Sequence, residues 1–519
     1  MQTFRDRREF LALAGATSAA GALALTGCGA GDPPGGATGA GSTPRRGGTF
    51  RALFTGGGEQ ETIDPHAESL AIDMARTKAL FDRLVALDTN MAPVPQLAKR
   101  WESNDDATLW RFTLREALFH DGRRLRPDDV LFTFGRILDP AATNHFARSL
   151  LSVVDLRASR AVGRNTVEVA LRSPNAEFPA LLGTLGTAIV SARYRDPARP
   201  VGTGAFRLTS FTAGRSFVAR RFDDHWGGGA HVDELRVLSA DAEARGNALR
   251  GGEAEYAYEV TPTFARTARA DRSVRVVSAA GSTAHALVMK CDREPFDHPD
   301  VRTAFKLLAD REALVKVVLG GRGVIGNDMF GKGYQYYPRD VPQRERDVAE
   351  ARALLRRAGA LNKTLSLYTS SVAAGFVEAA TLFAEQAADA GLRVKVTTGA
   401  SETYFKDQLT RGALGSHRSG AMTIPVYLHD RLLTRSAFNA SAWRRRDFDA
   451  DYAKAQATTA EDARTRRFED LQRTVHEEGG LLMWGHADWL NAVAARVRGV
   501  RAAPPNTLDS ARFDTVWLA

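Results

Sequence analysis

Few residue clusters in this chain could do chemistry. Gly321-Arg322-Gly323-Val324-Ile325-Gly326 has the spacing of a dinucleotide-binding loop. Such a loop must follow a strand and open a helix, so that the pyrophosphate rests on the helix N-terminus. Here the preceding run, Arg311 to Leu319, itself reads as a helix that ends in Gly. Gly326 to Lys332 supplies seven positions of a phosphate loop, but the eighth is Gly333, where a Ser or Thr hydroxyl must reach magnesium. Both stretches read as Gly-rich loops. No Gly-x-Ser-x-Gly elbow presents a nucleophile. The 11 His residues are dispersed, and His476-Glu477-Glu478 lacks the second His of a zinc helix. His486, within Trp484-Gly485-His486-Ala487-Asp488-Trp489, is the best lone ligand candidate, and a hydrogen-bonded structural role suits it better. These patterns point to no enzyme, no cofactor and no resident metal.

One residue has a predicted covalent fate. Cys28 closes Leu25-Thr26-Gly27-Cys28, at the end of an apolar run, Leu11 to Leu25, that follows the basic head Arg5 to Arg8. Head, short apolar segment and small residues before a cut site make an export signal over residues 1–27. The run is too short for a helix that needs about 20 apolar residues to cross a bilayer. Arg7-Arg8 with Phe10-Leu11 resembles a twin-arginine signal, and Leu-Thr-Gly-Cys resembles a lipoprotein box in which Cys28 is acylated. Residues 28–46, rich in Gly, Ala, Ser, Thr and Pro, read as a flexible tether.

The remaining length suits two or three domains with a sizeable core. With Cys28 lipidated, Cys291 has no partner, and no disulfide framework is expected. The formal charge is +9, and only ten of the 70 basic residues are Lys. The Arg residues are scattered rather than gathered with aromatics, which argues against nucleic acid and for a mildly basic surface. Arg444-Arg445-Arg446 reads as a solvated turn.

Elements that could position a site follow from periodicity. Strands are expected at Gly48–Phe54, Trp110–Arg115, Thr166–Leu171, Phe206–Phe211, Ser216–Arg221, Glu234–Leu238 and Leu490–Val497. Helices are expected at Leu70–Leu84, from Pro127, and at Ala463–Glu478. Asp347–Ala358, Leu365–Tyr368, Phe376–Ala390 and Leu392–Val396 alternate helix and strand, which gives a βαβ unit with parallel strands.

An ordered set of residues resembles the family-5 extracytoplasmic solute-binding proteins of ABC importers, which include oligopeptide, dipeptide and nickel binders. It comprises Gly47 to Phe50, Ile63 to His66, Pro95 to Ala98, Trp101-Glu102-Ser103, Asp105-Asp106, Trp110 to Arg115, Phe119 to Gly122 and Asp128 to Phe132. Val201-Gly202-Thr203-Gly204, Trp226, Leu249 to Gly252, Pro295 to Asp297, Val301 to Ala304 and Asp310-Arg311-Glu312 continue it. The resemblance implies an α/β, two-lobed periplasmic-binding-protein-like fold (type II, cluster C) with a sub-domain inserted in the first lobe. Lobe I would comprise residues 47–66, 197–281 and 483–519, the inserted sub-domain 67–196, and lobe II 282–482. The signature residues read as structural: Trp101, Trp110 and Phe112 pack, Asp121-Gly122 turns, and Arg302 pairs with Asp310.

The chain departs from the family at Ala205, at Lys290 and in a late cleft loop, Ser416 to Asp430, that lacks the Trp of peptide binders. From the family pattern, ligand contacts are expected at Gly58, Glu59 and Gln60 in the first cleft loop. Tyr258 and His285 would line the hinge side, with Tyr334, Gln335, Thr423, Tyr427 and Asp430 from the second lobe. The implied function is a lipid-anchored, monomeric receptor that captures peptides or similar polar solutes by hinge closure and hands them to a permease and its ATPase. Two rivals are a metal or metal-chelate receptor using His417, His429 and His486, and an exported hydrolase.

Overall fold

The computed structural model describes residues 43–361, 363–401 and 403–519. The export signal, Cys28 and the tether up to residue 42 lie outside the described residues.

One eleven-stranded sheet runs through both lobes. At its centre Val274–Met289 and Leu481–Ala494 pair antiparallel along most of their length. Tyr256–Ala257, Thr49–Phe54, Glu234–Ser239, Ser216–Arg221 and Phe206–Thr212 extend it on one side. Leu414–Ser419, Thr364–Ser370 and Arg393–Gly399 extend it on the other, and Gly323–Ile325 pairs with Leu481–Ala494 off this path. The two central strands feed both cores: Val274, Val277, Leu490 and Val493 enter the first, and Leu287, Met289, Leu482 and Trp484 the second. Their register shifts between Ala279 and Thr283, around Gly281 at φ +62. The expected lobe boundaries at 281/282 and 482/483 fall inside these strands, the first at that bulge.

Neither central strand was legible at its true length; Leu490–Val497 is in fact the end of Leu481–Ala494. Residues 281–289 are buried without a break. A strand covered on both faces has no polar face and loses the alternation that marks a half-exposed one. The βαβ unit, by contrast, forms as expected, with Thr364–Ser370 and Arg393–Gly399 parallel. The Leu70–Leu84 helix is shorter than expected, Ala71–Leu80, because Phe81 turns extended and the Leu80 carbonyl accepts from Gly204 N.

The inserted sub-domain carries its own sheet of Ala98–Ser103, Leu109–Leu114, Thr166–Leu171 and Val154–Val162. Helix Pro127–Leu138 supplies fully buried Val130, Phe134 and Ile137 to this core. Trp110, Phe112 and Phe178 pack with ring centroids 6.0–6.4 Å apart.

Two signature stretches meet here. Gly202 N donates to His120 Nδ1 at 3.3 Å, and His120 Nε2 lies 3.0 Å from the Gly204 carbonyl, so the ring carries its proton on Nε2. Burial pushes that imidazole down to about 4. A Cβ on Gly202 would lie 2.0 Å from the Leu80 carbonyl oxygen, so only Gly allows this crossing.

The expected Arg302–Asp310 pair does not form. Arg302 donates to the carbonyls of Phe296, Asp297 and Glu478, while Asp310 caps helix Arg311–Val318 through Ala313 N. The ends of helices leave carbonyls without partners, and cations are drawn to them. Lys306 does the same for the end of helix Glu461–Glu478, donating to His476 O at 2.8 Å. The buried carboxylate of this region is Asp328, held by Arg311 and Arg344. The Arg444–Arg446 cluster is solvated as expected, with Arg444 and Arg446 exposed, but it is not a turn. It leads into helix Arg446–Ala457 behind buried Trp443, and Arg445 pairs with Asp447 and Glu478.

Candidate ligand site between the lobes

The late segment read as a loop is mostly regular structure. Strand Leu414–Ser419 leads through a short turn into helix Ile424–Leu432. Thr423 Oγ1 accepts from Val426 N at 3.3 Å, and Pro425 sits in the first turn, where its missing donor costs nothing.

This segment faces the first lobe. Arg418 Nη1 approaches Glu259 Oε1 at 4.0 Å, and Asn506 Nδ2 donates to Ala421 O at 2.7 Å. Glu259 holds φ +51, a region that non-Gly residues rarely adopt. Its N–H donates to Asn491 Oδ1 and its carbonyl accepts from Arg245. Burial raises its carboxyl above the ordinary range, against the pull of Arg418 and Arg245.

The expected contact residues fall into separate groups. Tyr258 precedes Glu259, and its ring stacks on Phe54 at 4.7 Å and tilts against Trp489 at 5.2 Å. His285 is the cross-strand partner of Arg418, with its ring 5.3 Å from Trp484. Burial, then Arg418, pushes its imidazole down to about 3, so it is neutral. Tyr427 and Tyr334 gather around Phe330, which stacks on Tyr427 at 3.9 Å and lies 6.3 Å from Tyr334, while Thr423 caps the helix that carries Tyr427. The Tyr334 hydroxyl is buried without a hydrogen-bond partner.

The others lie elsewhere. Gly58, Glu59 and Gln60 form an exposed turn whose neighbour is the hairpin at Gly214. Gln335 donates its backbone N–H to Asn90 O and lines a crevice of about 340 Å³ between the inserted sub-domain and lobe II. Asp430 is half-buried and paired with its neighbour His429 at 2.7 Å.

Sequence reasoning did not single out Glu259, Arg418, Trp489 or Asn506. Only the Trp484–Trp489 stretch carried a signal, through His486. That side chain is 1% exposed and neither ring nitrogen has a partner, so it is not the hydrogen-bonded His expected. Burial, then Lys332 and His285, pushes it down to about 3.

Among the described residues, His417, His429 and His486 do not gather into a metal-holding cluster. Asp64, His66 and His145 lie close enough, among the described residues, to share an ion. Arg136 already donates to both Asp64 oxygens and to His66 Nδ1. That guanidinium supplies the positive charge, and a resident metal does not fit.

Comparison with known proteins places this architecture. Residues 92–434 match the family model described as bacterial extracellular solute-binding proteins, family 5 Middle. The chain is 27% identical over 490 residues to a probable di/tripeptide-binding protein 5 of Pseudomonas aeruginosa, covering 86% of this chain and 91% of that one. Among solved structures it is similar to the periplasmic binding protein DppA of Helicobacter pylori in complex with peptide STSA. The TM-score is 0.74 at 21% identity, covering 91% of this chain and 98% of that one. It is also similar to NikZ of Campylobacter jejuni in complex with Ni(L-His), with a TM-score of 0.76 at 16% identity, covering 90% and 99%.

Proposed function

The chain belongs to the bacterial extracellular solute-binding proteins of family 5, and we propose that it is the lipid-anchored receptor of an ABC importer. It captures peptides or similar polar organic solutes between its lobes and presents them to a permease and ATPase pair. The carrying observation is a set of buried polar atoms near where the lobes meet that have no hydrogen-bond partner among the described residues. It includes Tyr334 Oη, Trp489 Nε1, Asn506 Oδ1 and both ring nitrogens of His486. Each such group costs about 1–3 kcal/mol when left unpaired, and a polar ligand recovers that cost only when the lobes close on it. Closure then follows from differential contacts, with the central strands as hinge. A micromolar dissociation constant, about −8 kcal/mol, is enough for capture.

The metal-chelate reading has less support, because His417, His429 and His486 do not converge on one point. The hydrolase reading also has less support, because among the described residues Ser416 Oγ bonds to Thr369 and the Phe376 carbonyl rather than to a His ring.

Thermal unfolding with a panel of di- and tripeptides tests the proposal. A binder at 100 times its dissociation constant adds about 2.7 kcal/mol and raises Tm, with the peptide recovered intact. Intact peptides with no shift across the panel would sink the peptide reading, and cleaved peptides would revive the hydrolase. For the anchor, Cys28→Ala protein should leave the membrane fraction with its binding unchanged. Retention in the membrane refutes lipidation at Cys28.

A further inference from the structure

We propose that Arg418 selects ligands carrying a free carboxylate, and that Glu259 is the group such a carboxylate displaces. This rests on the receptor reading above. Arg418 stands on Leu414–Ser419 with its side chain 40% exposed. Among the described residues its guanidinium makes no hydrogen bond to the protein, and the carboxylate it faces is Glu259 at 4.0 Å, the outer limit of an ion pair. A guanidinium has five donors in a fixed fork, and a ligand carboxylate meets it bidentately at about 2.7–2.9 Å. Glu259 cannot close that gap easily. Its backbone is pinned in the left-handed region by Arg245 and Asn491, a strain that persists only where the surroundings enforce it.

Donors stand on the elements that flank the Arg418–Glu259 pair. Lys332 is half-buried, with its Nζ bonded to Ile325 O at 3.0 Å. Trp489 Nε1 is donor-only, and its ring abuts Tyr258, the residue before Glu259. His285 and His486 are buried and neutral, and each ring brings one N–H donor and one acceptor nitrogen. Nearby carboxylates are already engaged: Asp488 accepts from Ser278 Oγ and Gly281 N, and Asp430 pairs with His429. A half-exposed guanidinium whose one facing carboxylate, Glu259, is itself 42% exposed and stands at the outer limit of an ion pair holds a ligand anion better than Glu259 holds an ammonium.

The rival within the same site is Glu259 binding a ligand ammonium. Calorimetric titration with Ala-Phe, N-acetyl-Ala-Phe and Ala-Phe amide separates the two. Wild-type protein should bind the first two within a few-fold of each other and the amide at least tenfold more weakly. Arg418→Met, checked for folding by circular dichroism, should bind all three with equal, weak affinity. Glu259→Gln should bind Ala-Phe as tightly as wild type or tighter. Equal wild-type binding of acid and amide overturns the Arg418 proposal and leaves the receptor reading standing. So does a tenfold loss in Glu259→Gln, or discrimination that survives Arg418→Met. Binding of none of the three probes removes both readings.

Discussion

Replacing Arg464 with Met should weaken ligand binding far from the ligand. Arg464, in lobe II, reaches Glu177 of the inserted sub-domain at 2.8 Å, and their side chains are 10% and 6% exposed. Tyr336 completes the triad, with its hydroxyl donating to Glu177 Oε1 at 2.6 Å and accepting from Arg464 Nε at 3.1 Å. Arg464 Nη1 also donates to the carbonyls of Thr458 and Thr459, so the guanidinium is held in place from its own lobe. Ala176 N adds a backbone bond to Gln456 O at 2.7 Å. Removing one partner of a buried pair leaves a carboxylate uncompensated and costs about 3–5 kcal/mol. If the triad forms only when the lobes close, that cost falls on the closed state alone. Three kcal/mol is about a hundredfold in the closed fraction, and apparent affinity falls with the competent fraction. The dissociation constant of a bound peptide should therefore rise by up to about a hundredfold in Arg464→Met. Adding Glu177→Gln removes the orphaned charge and should restore part of the loss. Titration calorimetry reads the affinity, and small-angle scattering reads the extra opening. A variant whose Tm drops while its dissociation constant stays within twofold would mean that the triad is equally formed in open and closed states, and the latch reasoning fails.

Stability should fall in mild acid. The buried imidazoles of His66, His285 and His486 are pushed down to about 3, against about 6.5 in the unfolded chain. The unfolded state takes up protons first, so stability is full above pH 6.5 and is lost as pH falls towards the folded values. Each site adds up to about 1.4 kcal/mol per pH unit. Urea midpoints at pH 7.5 and 5.5 should differ, and His486→Gln should shrink the difference; equal midpoints would contradict the burial argument. Two glycines should respond oppositely. Gly202→Ala drives a Cβ into the Leu80 carbonyl and should prevent stable folding. Gly135→Ala, in helix Pro127–Leu138 with nothing within 4 Å, should stabilise by about 0.5–1 kcal/mol. Thermal melts of both variants check this, and a tolerated Gly202→Ala would refute the close approach.

The sequence carried the scaffold better than the seam, and the reason is physical. Half-exposed strands such as Ser216–Arg221 alternate in the chain because one face meets water, and the structure returns that strand with the expected ends. Residues 281–289 of the central strand, covered on both sides, offer no such signal. Charge pairing was misjudged for a related reason. Arg302 and Asp310 each had a nearer demand on them, the end of one helix and the start of another. Those demands depend on where Glu478 arrives in space.

The residues that betray the family and the residues that meet at the seam are different sets. His120, Gly202 and Gly204 recognise one another inside the first lobe and its insert, and Arg311 answers Asp328 within the second. These contacts fix the lobes whatever the cargo. Glu259 and Arg418, or Glu177 and Arg464, meet only across the seam, from opposite lobes and far apart in the chain. Nothing local constrains which side chains stand there, apart from the strain at Glu259, which is a property of backbone geometry and not of composition. A change of cargo therefore costs the scaffold little, and the ligand is better read from seam residues such as Arg418 than from matches to the family pattern.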